Sequence, residues 1–488
     1  MEIVNNQETV TCSEPISKPD VARPVKRKLA GYLLLSAAGF SYLVFAPRAG
    51  VSVLVFAALQ AVYLCFLLPK KKALLALVPV GVFALNAFIS ANGMWRLPNL
   101  LIALVLYNVM ALWLTHNLGL KETLPRFLQN IGGNMLRAVC HFGKPFEWGA
   151  EAQKEHLPVI KRVCIGLGIS IPILLFLLVM LSMADAIFSH TLARFVDWLS
   201  GLMGIDTLIR IFFGILAGLT LFGILYGAHR DSPARTAVLP KVRRGDLMIL
   251  NIALVSALLI YTLFVAIQFR YLFAPPDNLP YGLDFVHYAR RGFFELLALT
   301  GVNILFILIA VWLSKTQTGK GAKLTKILCL YLCTVTVVLL VSSFYRMWLY
   351  GSDDGLTRLR FLVFGFLMFE AIGLIATFFY IIRPKFNIIA VYCVIGLTYY
   401  LLLNIVPMDR IIARDQINRY FETGRGGIVY TVSLSPDAAP EIERLLTSDD
   451  PETRQRAEQY FQRMDHMANN RTNWRQWNLS IDRAARGD

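Results

Sequence analysis

Long apolar stretches, separated by short polar segments, fill the chain between residues 29 and 406. A helix that crosses a bilayer needs about 20 mainly apolar residues, and about eleven stretches approach that length. Backbone groups inside lipid must bond to one another, and the alternating pattern of a barrel strand is absent. The pattern therefore predicts an all-α fold, a polytopic bundle of about 11 transmembrane helices. The stretches are residues 29–46, 50–68, 73–90, 98–115, 161–183, 205–228, 247–271, 287–314, 325–348, 357–382 and 385–406.

Two segments mix apolar with charged residues and are predicted to lie along the membrane surface. Residues 121–150 contain both kinds and include Gly132-Gly133. We expect a cytoplasmic interfacial helix there, broken at the glycine pair. Residues 184–201 are too short and too charged to span a bilayer. They indicate an amphipathic helix on the outer surface.

The sixth apolar stretch carries two glycine pairs at helical spacing. Gly214 and Gly218 lie on one face of the predicted helix, and Gly223 and Gly227 lie on a nearly opposite face. Glycines four residues apart allow two helix backbones to approach closely in a membrane. The pairs therefore predict close packing on two sides of this helix.

The lysines indicate which way the helices are oriented. They precede the first apolar stretch and follow only the even-numbered stretches, and the C-terminal tail has none. Because cytoplasmic loops of membrane proteins carry an excess of Lys and Arg, the lysine-bearing gaps are predicted to be cytoplasmic. Residues 1–28 then form a basic cytoplasmic tail, and the C-terminus lies outside. The first 28 residues contain no convincing cleavage site, so we expect the first stretch to remain as an anchor.

The composition agrees with a membrane protein and argues against a nucleic-acid partner. Of the 488 residues, 56% are hydrophobic and 16% are charged, whereas an average soluble domain carries roughly 25% charged residues. The net charge is +16, but the positive side chains lie at the ends of apolar stretches rather than in a nucleic-acid-binding module. We therefore expect the lipid bilayer, and no nucleic acid, as a partner.

After Pro407 the apolar stretches stop, and residues 407–488 are predicted to form a small helical extracytoplasmic module. Ser435-Pro436-Asp437 and Asp450-Pro451-Glu452 each place a capping residue before a proline and an acid, as helix starts do. We expect this module to pack on the membrane domain and to offer a surface to other membrane or envelope proteins.

Two acids and one amide form a candidate intramembrane polar site. Glu370 lies near the middle of one predicted span, and Glu295 lies in another, one turn after Arg291, with which it can pair. Asn303 lies on a neighbouring part of the same helix face. An ionisable residue inside a membrane is costly and often carries protons or binds a cation. The alternative is a hydrogen-bonded carboxyl that joins helices, which we favour for both acids.

A second candidate site is a charged rim at the predicted outer ends of the spans. An arginine pocket there could hold phosphate or carboxylate through bidentate bonds. The alternative, which we favour, is a set of ion pairs that tie the outer loops together. The rim consists of Arg290, Arg291, Arg346, Arg358, Arg360 and Asp409.

The sequence contains no recognisable catalytic motif, and we expect no cofactor and no metal. Cys329 and Cys333 share a predicted helix face, but two thiols alone make a poor metal site, and no other cysteines or histidines supply a second pair at ligand spacing. We therefore favour a non-catalytic, transport-associated or partner-binding membrane subunit. One alternative is a proton- or ion-coupled transporter that uses Glu370. Another is a membrane enzyme that acts on a lipid or envelope substrate at the arginine rim.

Three motifs carry a family resemblance. They are Tyr288-Ala289-Arg290-Arg291-Gly292-Phe293-Phe294-Glu295-Leu296, then Gly355-Leu356-Thr357-Arg358-Leu359-Arg360, then Ile412-Ala413-Arg414 with Asn418 and Leu434-Ser435-Pro436-Asp437-Ala438. In this order the chain resembles bacterial polytopic membrane proteins of domain-of-unknown-function family 4173, a relative of family 4153. The resemblance implies a bacterial inner-membrane protein and implies no activity.

Overall fold

A computed structural model describes most of the chain. The described residues are 23–45, 49–67, 71–114, 124–150, parts of 166–194, 205–230, 246–272, 293–314, 317–383 and 386–486. Throughout these ranges the regular elements are helices and none is a strand, which confirms the all-α prediction. The predicted spans 161–183 and 287–314 lie only partly within the described residues, and so does the predicted surface helix 184–201.

Seven helices of the described part are long and apolar enough to cross a membrane. They are Gly93–Trp113, Asp206–His229, Leu247–Ile267, Phe293–Ser314, Lys320–Trp348, Arg358–Ile382 and Ile388–Ile405. Two other predicted spans form shorter apolar helices, Val51–Leu67 and Leu74–Ile89. The seven helices agree with a membrane-embedded protein, and the count of about 11 is not confirmed.

The first half of the chain forms one helical group around a shared apolar core. Tyr32, Leu64, Met110, Phe222 and Tyr226 are buried in it, and each belongs to a helix of this group. The helices are α1 (Arg23–Gly39), α2 (Val51–Leu67), α3 (Val78–Ile89), α4 (Arg96–Leu114), α5 (Leu124–Cys140), α6 (Lys144–Ala150) and α7 (Ile205–Arg230).

The glycine pairs of α7 permit close packing on two sides, as predicted. A Cβ on Gly214 would lie 2.6 Å from the Ala37 carbonyl oxygen of α1, and a Cβ on Gly223 would collide with the Ala138 carbonyl of α5. This packing also explains why one prediction, a helix break at Gly132-Gly133, is wrong. The helix α5 runs unbroken through Gly132-Gly133, because its contact with α7 stabilises the helical backbone that two glycines weaken.

The second half forms another helical group, which contacts the first where α12 packs against α3. Leu254, Ile307, Leu332, Leu339 and Leu374 lie in its core. The helices are α8 (Leu247–Leu272), α9 (Phe293–Ser314), α10 (Lys320–Asp354), α11 (Arg358–Ile382) and α12 (Ile388–Ile405).

Residues after Pro407 form a compact helical unit, here called the C-terminal module. Asp450 accepts hydrogen bonds from the backbone N–H groups of Glu452 and Thr453, so the predicted cap is confirmed there. Ser435 makes no side-chain capping bond, although a short helical turn follows it. The module contains α13 (Met408–Thr423), α14 (Ile428–Thr431), α15 (Ala439–Ile442), α16 (Pro451–Asn469) and α17 (Leu479–Arg486).

Candidate functional site

The C-terminal module is attached to the helix ends on one side of the membrane domain. The backbone N–H groups of Gly50 and Val51, at the start of α2, donate to the Arg475 and Trp477 carbonyl oxygens at 3.0 and 2.9 Å. The Asn478 amide donates to the carbonyls of Ala87, in the last turn of α3, and of Ser90, just after it, at 3.0 and 2.8 Å. Backbone groups that a helix end leaves unpaired are thus paired by the module.

Asp409, in the first turn of α13, is the centre of this attachment. Its carboxylate accepts two bonds from the Arg358 guanidinium, Nε at 2.8 Å and the terminal nitrogen at 2.6 Å. It also accepts from the Ser435 backbone N–H at 3.1 Å and the Asn92 amide at 3.3 Å. The Asp409 side chain is 0% exposed and that of Arg358 is 35% exposed. A buried carboxylate with four donors stabilises one arrangement of three segments distant in sequence.

A second attachment holds the turn between α10 and α11. Gly355 adopts a φ of 77°, and its carbonyl accepts a bond from the buried Arg360 guanidinium. The Leu356 N–H donates to Asp415 at 2.8 Å, and the Leu356 carbonyl accepts from the Gln416 amide at 2.8 Å. Both partners lie on α13, so this turn is bonded directly to the module.

An amide network next to the module was not predicted. The Asn99 amide donates to the Asn404 side-chain oxygen at 2.8 Å, and the Tyr400 hydroxyl donates to the Asn99 oxygen at 2.6 Å. The Asn86 amide donates to the Asn404 carbonyl at 2.6 Å. The sequence feature that could have indicated this network is the presence of asparagines near the ends of apolar stretches. Their side chains join α3, α4 and α12, the helices where the two groups meet.

The predicted rim is therefore partly an internal interface. Arg358 and Asp409 are brought together, and Arg360 binds the neighbouring turn. Arg346 is buried in α10. Arg290 and Arg291 lie outside the described residues.

The predicted intramembrane site separates into a buried part and an exposed part. Glu370 of α11 is 5% exposed, and its Oε2 lies 2.7 Å from the Thr300 hydroxyl of α9. Asn303, one turn further along α9, accepts a bond from the Tyr261 hydroxyl at 2.7 Å. Glu295 is exposed in the first turn of α9. The structure thus places Glu370 and Asn303 on interior helix faces, and Glu295 apart from them.

The fold and the apolar helices indicate a polytopic helical membrane protein. The family model described as "Domain of unknown function (DUF4153)" matches residues 56–445. The match covers most of the chain, including α9, α11 and α13, so the protein belongs to the DUF4153 family. The narrower resemblance to family 4173 remains a prediction. No curated protein and no solved structure matches the chain.

Proposed function

We propose that this protein is a multi-pass protein of the bacterial inner membrane that acts without catalysis, as a partner-binding or transport-associated subunit. Its N-terminus lies in the cytoplasm, and the C-terminal module lies outside and carries the partner surface. The observation that carries the proposal is the bidentate Arg358–Asp409 pair with its buried carboxylate, which fixes the module to the membrane domain. A module held in this way presents its outer surface in a constant orientation.

The orientation is supported by where the module is attached. It contacts the ends of α1 and α3 and the starts of α2, α4 and α11, and it follows directly on the end of α12. These ends adjoin the gaps that carry no lysine, whereas exposed Lys320, Lys323 and Lys326 lie at the other end of α10. Lysine-rich ends are cytoplasmic in most membrane proteins, so the module lies outside.

The partner surface that we favour is the outer stripe of α13, formed by Ile411, Arg414, Asn418 and Phe421. Ile411 is 37% and Phe421 47% exposed, and the Arg444 guanidinium lies over the Phe421 ring at 5.8 Å. Exposed aromatic and aliphatic side chains beside arginine are typical of the centre of a protein interface. This stripe also lies within the part of the chain that the family model covers.

The alternative of an enzyme at the arginine rim receives less support. Such a site needs an arginine whose planar donors can grip a substrate anion. The Arg358 guanidinium already donates two bonds to Asp409, and Arg360 donates to the Gly355 carbonyl. An incoming anion would have to displace these bonds.

The experiment compares two exposed faces of the module in living cells. The variants Ile411→Glu and Phe421→Glu change the outer stripe, and Gln455→Glu and Gln459→Glu add the same charge on exposed α16. We expect the stripe variants to lose a co-purifying membrane or envelope protein and the α16 variants to keep it. Retention of every partner by the stripe variants would contradict the proposed surface.

The orientation is tested separately by cysteine labelling. In a chain whose seven cysteines are replaced by serine, Gln459→Cys should react with a membrane-impermeant maleimide in intact spheroplasts. Lys323→Cys should react only after permeabilisation. The reverse pattern would overturn the orientation.

The second candidate function is a proton- or ion-coupled transporter that works through Glu370. It is favoured by one observation, the burial of this carboxyl midway along α11, where among the described residues no basic side chain forms an ion pair with it. Such residues in membrane helices commonly belong to ion or proton pathways. Glu370→Gln should then abolish coupled uptake in reconstituted vesicles.

A further inference from the structure

The Thr300 hydroxyl lies between two oxygen atoms and carries only one proton. Its oxygen is 2.7 Å from the Leu297 carbonyl oxygen, one turn back on α9, and 2.7 Å from Oε2 of Glu370. Both distances are those of good O–H···O hydrogen bonds. A hydroxyl carries one proton and can donate only one hydrogen bond, so hydrogen bonds to both neighbouring oxygens need a second proton.

The position of that second proton follows from the chemistry of the three groups. A backbone carbonyl only accepts, and an ionised carboxylate only accepts. If Glu370 were ionised, one of the two short oxygen contacts would have no proton in it. With a protonated Glu370, its O–H donates to Thr300, and Thr300 donates to Leu297. The geometry therefore matches a neutral carboxyl.

The surroundings of Glu370 agree with this assignment. Thr300 and Gly301 face it from α9, and the Tyr392 hydroxyl of α12 lies within electrostatic reach of both Glu370 and Cys333 of α10. Tyr392 donates to the Gly373 carbonyl at 2.9 Å.

The two arginines at the start of α11 do not pair with Glu370. Arg358 and Arg360 lie about 18 and 15 Å away along α11, by helical rise, and bond to Asp409 and Gly355. Among the described residues no cation forms an ion pair with Glu370, and a buried carboxylate without such a partner is costly.

We propose that Glu370 is a reversible proton-binding site inside the membrane domain, with Thr300 as the hydroxyl that responds to its charge. This inference rests on the second candidate function and names its ligand as the proton rather than a metal cation. When the proton leaves, the O–H bond of Glu370 breaks and the proton passes to a water molecule. The Thr300 hydroxyl then turns from Leu297 to the carboxylate, a rotation between two acceptors at equal distance.

Infrared spectroscopy tests the proposal on the full chain in lipid nanodiscs. A protonated carboxyl has a carbonyl stretching band that an ionised one lacks. We expect a band that disappears reversibly as the pH is raised and is missing from the Glu370→Gln variant. Absence of such a band, or a band that never titrates while the protein stays folded, would overturn the proposal.

The Thr300 variants give an independent measurement. Hydrogen bonds to charged groups are stronger than those to neutral groups, so Thr300→Val should raise the midpoint of the titration by about one pH unit. Thr300→Ser keeps the hydroxyl and should leave the midpoint close to that of the unaltered protein. An unchanged midpoint in Thr300→Val would contradict the role of Thr300.

Coupled uptake into vesicles, measured beside the infrared band, distinguishes failure of the proton site from failure of the transporter candidate. If the band titrates but Glu370→Gln leaves coupled uptake unchanged, the transporter candidate fails and the proton site stands. If no band titrates but Glu370→Gln abolishes sodium-coupled uptake, the transporter candidate stands and the proton site fails.

Discussion

Replacing Arg358 should open the C-terminal module more easily than replacing its partner Asp409. The two side chains form a bidentate pair, but they differ in burial: Asp409 is 0% exposed and Arg358 is 35% exposed. In Arg358→Met a carboxylate stays buried without a cation. In Asp409→Asn the remaining guanidinium can turn to water, and the isosteric amide still accepts a bond from Ser435. The two halves of one ion pair are therefore not equivalent.

The magnitudes follow from this difference. Leaving one buried charge uncompensated costs about 3–5 kcal/mol. Because Arg358 is partly exposed, Arg358→Met should cost about 3 kcal/mol, the lower end of this range. Asp409→Asn removes the buried charge and only weakens the hydrogen bonds to this side chain, so it should cost about 1–2 kcal/mol. The double variant has no buried charge, so adding Asp409→Asn to Arg358→Met should recover part of the loss.

Hydrogen exchange of the buried amides of α13 measures this opening. When closing is fast, exchange follows the free energy of local opening. About 3 kcal/mol then corresponds to roughly hundredfold faster exchange, and 1–2 kcal/mol to about tenfold. Arg456→Met is the matched control, because Arg456 pairs with Glu452 on the exposed surface of α16, where such pairs contribute about 0–1 kcal/mol. Equal acceleration by Arg358→Met and Asp409→Asn, or by the control, would refute the reasoning.

Two further predictions concern a turn and a helix cap. Gly355→Ala should destabilise the module by about 2–4 kcal/mol, because a left-handed alanine is strained and its Cβ would lie 2.6 Å from the Gln416 amide. Gly424→Ala is the control, because Gly424 also has a positive φ but a Cβ there would meet nothing within 4 Å. It should cost only about 1–2 kcal/mol in the same exchange assay. Hydrogen bonds from Thr453 lower the pKa of Asp450 in the folded protein. The cap therefore stabilises α16 fully at pH values above the unfolded pKa of about 3.9. This stabilisation is lost as the pH falls through the pKa of Asp450 in the folded protein. Asp450→Asn keeps an acceptor and should remove that pH dependence from the circular dichroism of the folded protein, whereas an unchanged acid transition would contradict the assignment.

The sequence predicted the features that depend on local chemistry. Apolar length predicts helices because lipid leaves the backbone no other partner, and the described residues are helical wherever they form regular structure. The spacing of Gly214, Gly218, Gly223 and Gly227 predicted two close contacts, since a glycine pair acts within one helix face. The cap at Asp450 depends on three neighbouring residues. Each of these signals is contained in a short segment.

The features that the sequence did not predict depend on distant pairs. Asp409 and Arg358 are 51 residues apart, and the Asn99–Asn404 bond joins residues 305 apart. A single sequence indicates that such groups need partners but does not say which partners they have. The same limit explains Gly132-Gly133, where contact with α7 outweighs the local preference of two glycines.

One helix connects the two candidate sites. Arg358 at the start of α11 holds the module, and Glu370 lies twelve residues further along, about 18 Å by helical rise. A continuous helix does not by itself couple two sites, because coupling needs an arrangement whose equilibrium both sites change. If such coupling exists, it is reciprocal: the free energy by which module opening shifts the Glu370 titration must equal that by which deprotonation shifts module opening. A coupling free energy of zero would favour a fixed platform for a partner, and a non-zero value would favour a transporter whose C-terminal module responds to the proton.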